Sequence, residues 1–192
     1  MSDSIINSAI AYVEKTFYNN ADGHDTAHAM RVYANAVKLA GYYPDCDAEI
    51  VALSALLHDV DDHKLFKTEN NANARSFLEG QNISAAKIEQ ICSIINEVSF
   101  SKNRGRRPES IEGKIVQDAD RLDAIGAVGI ARTFAYGEKN GRSLEDSLQH
   151  FYDKLLLLKD EMNTEEARKL AIVRHEYIEG FVEEYKAETD LS

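Results

Sequence analysis

The sequence predicts an all-helical, single-domain protein, and three observations carry that expectation. First, 192 residues with 44% hydrophobic content are enough for one compact core. Second, the chain holds only 2 Pro and 10 Gly, too few for the many tight turns of an all-β protein. Third, apolar residues recur at helical spacing along most of the chain, with no internal repeat and no low-complexity stretch.

The elements follow in order. Residues 4–19 align Ile6, Ile10, Val13 and Phe17. Residues 26–41 align Met30, Tyr33, Val37 and Ala40 behind a plausible N-cap, Asp25. Residues 47–59, DAEIVALSALLHD, are apolar on every side after the cap Asp47, the mark of a helix buried in the middle of a domain. Residues 68–79 and 84–98 are two further helices, the second capped by Ser84 and buried along Ile88, Ile91, Ile94 and Ile95. Gly105 and Pro108 break the pattern in a basic loop. Residues 110–136 are helical with a bend near Gly126 and Gly129. Ser143 and Asp146 form a capping box ahead of an apolar helix, LQHFYDKLLLLKDEM. Residues 164–187 close the chain with Leu170, Arg174, Ile178, Phe181 and Tyr185 along one face.

Charge narrows the function. With 22 basic and 33 acidic residues the net charge is −11, which repels nucleic-acid phosphates and anionic membranes. Two cysteines, Cys46 and Cys92, make neither a disulfide framework nor a zinc cage, and a reducing, cytoplasmic setting is expected. No signal peptide or membrane-spanning run is visible. Phosphate-loop, dinucleotide-loop and nucleophile-elbow patterns are all missing.

Chemistry concentrates at His58-Asp59, where two metal-capable side chains end the buried helix. A buried carboxylate needs a cation or strong donors. His28 starts the helix that must meet this one, and QDADRLDAIGA places Asp118, Asp120 and Asp123 in an otherwise apolar segment. Asp120 and Asp123 share a face, while Asp118 points away from Asp120. A single core histidine ordinarily donates to a carbonyl, and a single Asp near a helix start is ordinarily a cap. Taken together, the order His, His-Asp, Asp favours a metal site, and imidazole with carboxylate suits Mn, Fe, Ni, Zn or, less well, Mg.

The same order resembles the HD superfamily of metal-dependent phosphohydrolases. GHDTAHAMRV, ALLHDV and DADRLDAIGA are similar to its ligand segments, and the resemblance runs over nearly the whole chain. It implies an orthogonal helical bundle, with metal-site helices over about 22–136 and C-terminal helices over about 143–187 packed on them. It implies His28, His58, Asp59 and Asp120, not Asp118, as ligands to one divalent ion, with Mn foremost and Mg, Fe, Ni, Co and Zn as alternatives. It implies Asp62 as the proton-transfer group, with His63 as alternative. On the substrate side stand Lys64, Arg121, His24 and Asp123, with the basic loop 102–107 a further attraction for phosphates. The C-terminal part is similar to small bacterial HD proteins related to nucleoside triphosphate pyrophosphohydrolases. The expected reaction is therefore cleavage of a (d)NTP to monophosphate and pyrophosphate. A 5′-nucleotidase and a non-catalytic nucleotide-sensing module are the alternatives. The expected partner is a small nucleotide, and a homodimer is compatible with the sequence.

Overall fold

Local capping signals start several of the helices. In the computed structural model, which describes residues 3–18, 25–63, 65–99, 103 and 105–189, α1 is Asp3–Thr16, α2 Thr26–Ala40, α3 Ala48–Leu57, α4 Ala72–Gly80 and α5 Ala85–Val98. They are followed by α6 Ile111–Asp123, α7 Gly126–Lys139, α8 Leu144–Asp153, a 3₁₀ helix Leu155–Glu161 and α9 Glu165–Thr189. No strand occurs among the described residues. The carboxylate of Asp25 accepts from the His28 amide, Asp47 from Glu49 and Ile50, Ser84 from Lys87 and Ser143 from Asp146. Each side chain satisfies an amide that the first turn leaves without a helical partner.

The helices group into two compact units, Met1–Asp120 and Arg121–Ser192, with the boundary inside α6. In the first unit α3 is central, and α1, α2 and α5 all pack against it. Every residue from Ile50 to Leu57 is buried, as its all-round apolarity requires. In the second unit α7 and the 3₁₀ helix pack on α9, and α8 packs on both α7 and the 3₁₀ helix. Phe134, Phe151, Phe181 and Tyr185 cluster there at ring separations of 5.7–6.4 Å. α7 groups with the helices that follow it.

Two expected faces are rotated. In α2 the buried line is His28, Ala29, Val32, Ala36 and Leu39, while Met30, Tyr33 and Val37 are only half-buried. The helix carries two apolar stripes, and the one bearing small alanines allows the closer approach to α3. In α9 the buried line is Ala167, Ala171, His175, Ile178 and Val182, and Leu170, Arg174, Phe181 and Tyr185 flank it.

Two expected helices are divided. The apolar helix after Ser143 stops at Asp153, where Lys154 takes φ −141° and ψ −60°. Its leucines continue as a 3₁₀ helix, whose three-residue turn stacks the buried Leu155 and Leu158 and turns Leu157 outward. Residues 110–136 divide at 124–125 because Ile125 is extended and Gly126 is left-handed at φ +78°. Three residues later a Cβ on Gly129 would stand 2.2 Å from the Ala124 carbonyl oxygen.

Backbone cannot yield as a flexible side chain does, so Gly129→Ala should cost about 1–3 kcal/mol of unfolding free energy. Gly180→Ala, on an open face of α9 with nothing within 4 Å, should instead stabilise by up to about 1 kcal/mol. Urea denaturation of the two variants checks the pair, and equal effects would contradict the tight approach at 124–129.

Candidate metal centre

The apolar run of α3 ends at Leu57, and the chain leaves the helix at His58. His58 Nδ1 lies 2.8 Å from the Ala55 carbonyl oxygen. A carbonyl only accepts, so this ring nitrogen carries a proton and donates, which turns Nε2 toward the cluster. Nε2 lies 3.2 Å from His28 Nε2. The two rings stand nearly at right angles, with an interplanar angle of 72°.

His28 reaches this place through α2. The Asp25 cap holds its backbone amide at 2.7 Å, and Val32 and Ala36 continue its face into the core. Asp59 follows His58 directly, and its Oδ2 lies 3.2 Å from His58 Nε2 and 3.3 Å from His28 Nε2. Asp120 comes from α6, with Oδ1 3.5 Å from His28 Nε2 and 3.9 Å from His58 Nε2. One ligand atom each from His28, His58 and Asp120 falls within a 4.8 Å span. The Asn35 amide donates to the Ala119 carbonyl at 3.5 Å, linking α2 to α6 one residue before Asp120.

These residues fit a divalent ion. Donors bonded at about 2.0–2.2 Å and at right angles to one another stand about 3 Å apart. The separations of 3.2–3.9 Å approach that spacing. His28, His58 and Asp59 are buried, and the Asp120 side chain keeps 24% exposure, which leaves one open side. Burial works against charge on His58, yet the carboxylates of Asp59 and Asp120 lift its pKa to about 9. The cluster thus draws in positive charge. A divalent ion between two neutral imidazoles would balance both carboxylates, which a single proton does not.

Asp62 lies on a turn rather than one helical turn further along α3, because the helix has already ended. Its amide donates to the Asp59 carbonyl at 3.0 Å, and its side chain is 15% exposed. His63 Nδ1 stands 3.8 Å from Asp62 Oδ2, on a side chain 58% exposed. Asp118 is completely buried and stands outside the donor group. Arg121 is buried with its guanidinium on the Glu161 carboxylate at 3.2 Å, and the buried Asp123 receives Arg132. His24 and Lys64 lie outside the described residues, as do Lys102 and Arg104, while Arg106 and Arg107 are exposed. His150 is half-buried, and His175 is buried beside Glu179.

Sequence reasoning missed Asp61 and Asn73. Both Asp61 oxygens accept from the first turn of α4, and the Asn73 amide donates to the Val60 carbonyl. The only signal was the acidic run DVDD followed by a helix start with no Ser, Thr or Asp cap of its own.

Known proteins share this fold. The HD domain family matches residues 26–125. YpgQ of Bacillus subtilis (strain 168) is 40% identical over 180 residues, covering 89% of this chain and 87% of that protein. The crystal structure of Bacillus subtilis YpgQ in complex with ADP superposes with a TM-score of 0.83 at 35% identity, over 97% of this chain and 98% of the other. An HD-superfamily hydrolase from Bacillus thuringiensis superposes with a TM-score of 0.78 at 40% identity, over 97% of each chain. The His-Asp doublet that gives the family its name stands at the heart of the donor cluster, within a matched region of over half the chain: the protein belongs to the HD domain family.

Proposed function

We propose that this HD-superfamily member is a metal-dependent phosphohydrolase that cleaves nucleoside triphosphates between the α- and β-phosphates, releasing monophosphate and pyrophosphate. The observation that carries the reading is the convergence of His28, His58, Asp59 and Asp120, with one side of the cluster open. The ADP held by YpgQ in its crystal structure supports a nucleotide as ligand. The net charge of −11 favours a small nucleotide over a nucleic acid.

A divalent ion bound by the four residues, manganese foremost, would supply Lewis acidity and a water acidified toward neutral pH. The chain's own groups do the rest. His58 is held in one tautomer by Ala55 and presents Nε2 without rearrangement. Asp59 and Asp120 provide the negative charge that retains a dication. Asp62 takes the proton of the attacking water, and the exposed His63 beside it passes that proton to solvent. Lys64 and the basic loop 102–107 are the groups offered to the β- and γ-phosphates. Arg121 and Asp123 already have partners in Glu161 and Arg132, which counts against direct phosphate contact for these two. A 5′-nucleotidase would need less positive charge, having a single phosphate to hold.

Asp120→Ala should abolish binding of added Mn²⁺, while Asp118→Ala should keep most of it in the folded protein. Elemental analysis after gel filtration decides this, and metal lost from the Asp118 variant but kept by the Asp120 variant would reverse the assignment. Asp62→Asn should retain metal and lower kcat about 10²–10⁴-fold. Metal-loaded Asp62→Asn with wild-type turnover would transfer the role to His63. For the bond cut, incubation with Mn²⁺ and a nucleotide panel in ¹⁸O-labelled water should yield monophosphate and pyrophosphate, with label in one of them. Orthophosphate from monophosphates alone would favour the nucleotidase, and no product from any nucleotide would favour a sensing module.

A further inference from the structure

The turn that carries Asp59 and Asp62 is fastened to α4 in both directions. Asp61 Oδ1 accepts from the Asn73 amide and Oδ2 from the Ala74 amide, each at 3.0 Å. The Asn73 side-chain amide donates back to the Val60 carbonyl at 2.7 Å. The Asn73 carbonyl in turn accepts from the Tyr12 hydroxyl at 3.3 Å, and the Tyr12 ring stacks on Phe77 with centroids 4.8 Å apart. One acidic residue of the turn is therefore committed to a helix, and one residue of that helix to the turn.

The way α4 begins indicates that this coupling is more than ordinary capping. Its N-cap residue, Asn71, makes no side-chain cap bond. The Asn71 amide instead donates to the Cys92 carbonyl and to Asn96 Oδ1. Asn70 and Asn71 are both left-handed, at φ 54° and 55°, a conformation that Asn adopts more readily than other residues with a Cβ. A Ser or Asp in extended backbone at the cap position would close the helix locally. The chain instead takes the cap of α4 from Asp61, in the segment next to the metal centre.

We propose that Asp61 and Asn73 are positioning residues, which hold the 58–62 turn so that the Asp59 carboxylate and the Asp62 side chain are aimed at the metal centre. The inference rests on the metal-hydrolase reading. It extends that reading to residues that bear no ligand atom. Ligand-orienting groups of this kind typically change metal affinity or activity by 10–100-fold when removed.

The test compares three truncations in the full chain. Asp61→Ala and Asn73→Ala remove the two directions of the fastening. Ser84→Ala removes the cap of α5, a bond that involves no residue of this turn. All three should lower the thermal midpoint modestly. Only Asp61→Ala and Asn73→Ala should weaken Mn²⁺ binding, by about 10-fold in titration calorimetry, and lower kcat on the nucleotide panel with little change in KM. Asp61→Asn keeps one acceptor oxygen and should recover part of both losses. Mn²⁺ affinity and kcat equal to those of Ser84→Ala would overturn the proposal. Should Asp61→Ala fail to fold, Asn73→Ala decides, because it leaves both backbone cap bonds in place. A wild-type chain that binds no Mn²⁺ would remove the metal reading itself. Wild-type binding with unchanged variants would remove only the positioning role.

Discussion

Two carboxylates and two imidazoles share a space that solvent barely reaches, and their charge must be cancelled there. This requirement organises the first unit. α3 has to be apolar on every side, so that its end brings His58 and Asp59 to the core without bringing water along. α2 has to press its alanine face against α3, because only that face carries His28 inward. α6 has to present Asp120 while Asp118, two residues earlier, disappears into packing. The rise of the His58 pKa to about 9 expresses the same demand: even against burial, the two carboxylates draw a positive charge into the cluster.

Much of this was legible in the sequence, and the reasons differ by residue. His58-Asp59 stands out because polarity appears where an apolar run stops. Helical spacing sets Asp118 and Asp120 on different faces, while the choice of Asp120 as the ligand came from the family resemblance. The caps at Asp25, Asp47, Ser84 and Ser143 are local events within four residues, and they are all present. The buried face of α2 was not legible, since Met30-Tyr33-Val37 and Ala29-Val32-Ala36 are equally periodic. Only the close approach of a neighbouring helix selects between them. The division after Asp153 eluded periodicity because four consecutive leucines satisfy either kind of helix. Asp61 read as one more acid in a run, since its partners lie a dozen residues away and are backbone amides that any sequence possesses.

Arg121 and Asp123 show the complementary difficulty. A charged residue beside a ligand looks like a substrate contact, and in α6 both sit within three positions of Asp120. Each has an oppositely charged partner from the C-terminal segment, Glu161 and Arg132. Buried ions are kept by such pairing, and nothing in the local sequence announces a partner nine or forty residues away. Family membership reaches further than either argument on the fold. The substrate is decided by the product analysis.

The origin of the four donors has a consequence for how the chain holds itself together. They come from α2, from the turn after α3 and from α6, so most of the first unit after α1 lies in the loops between them. A divalent ion gripping all four would act as a cross-link, restricting the unfolded chain much as disulfides do in proteins that have them. Folding and metal capture then become one event: the cluster exists only once distant segments have met, and its completion rewards the slowest of those encounters. A cell short of the ion would hold a looser protein as well as an idle one, so its turnover by proteases would follow metal supply.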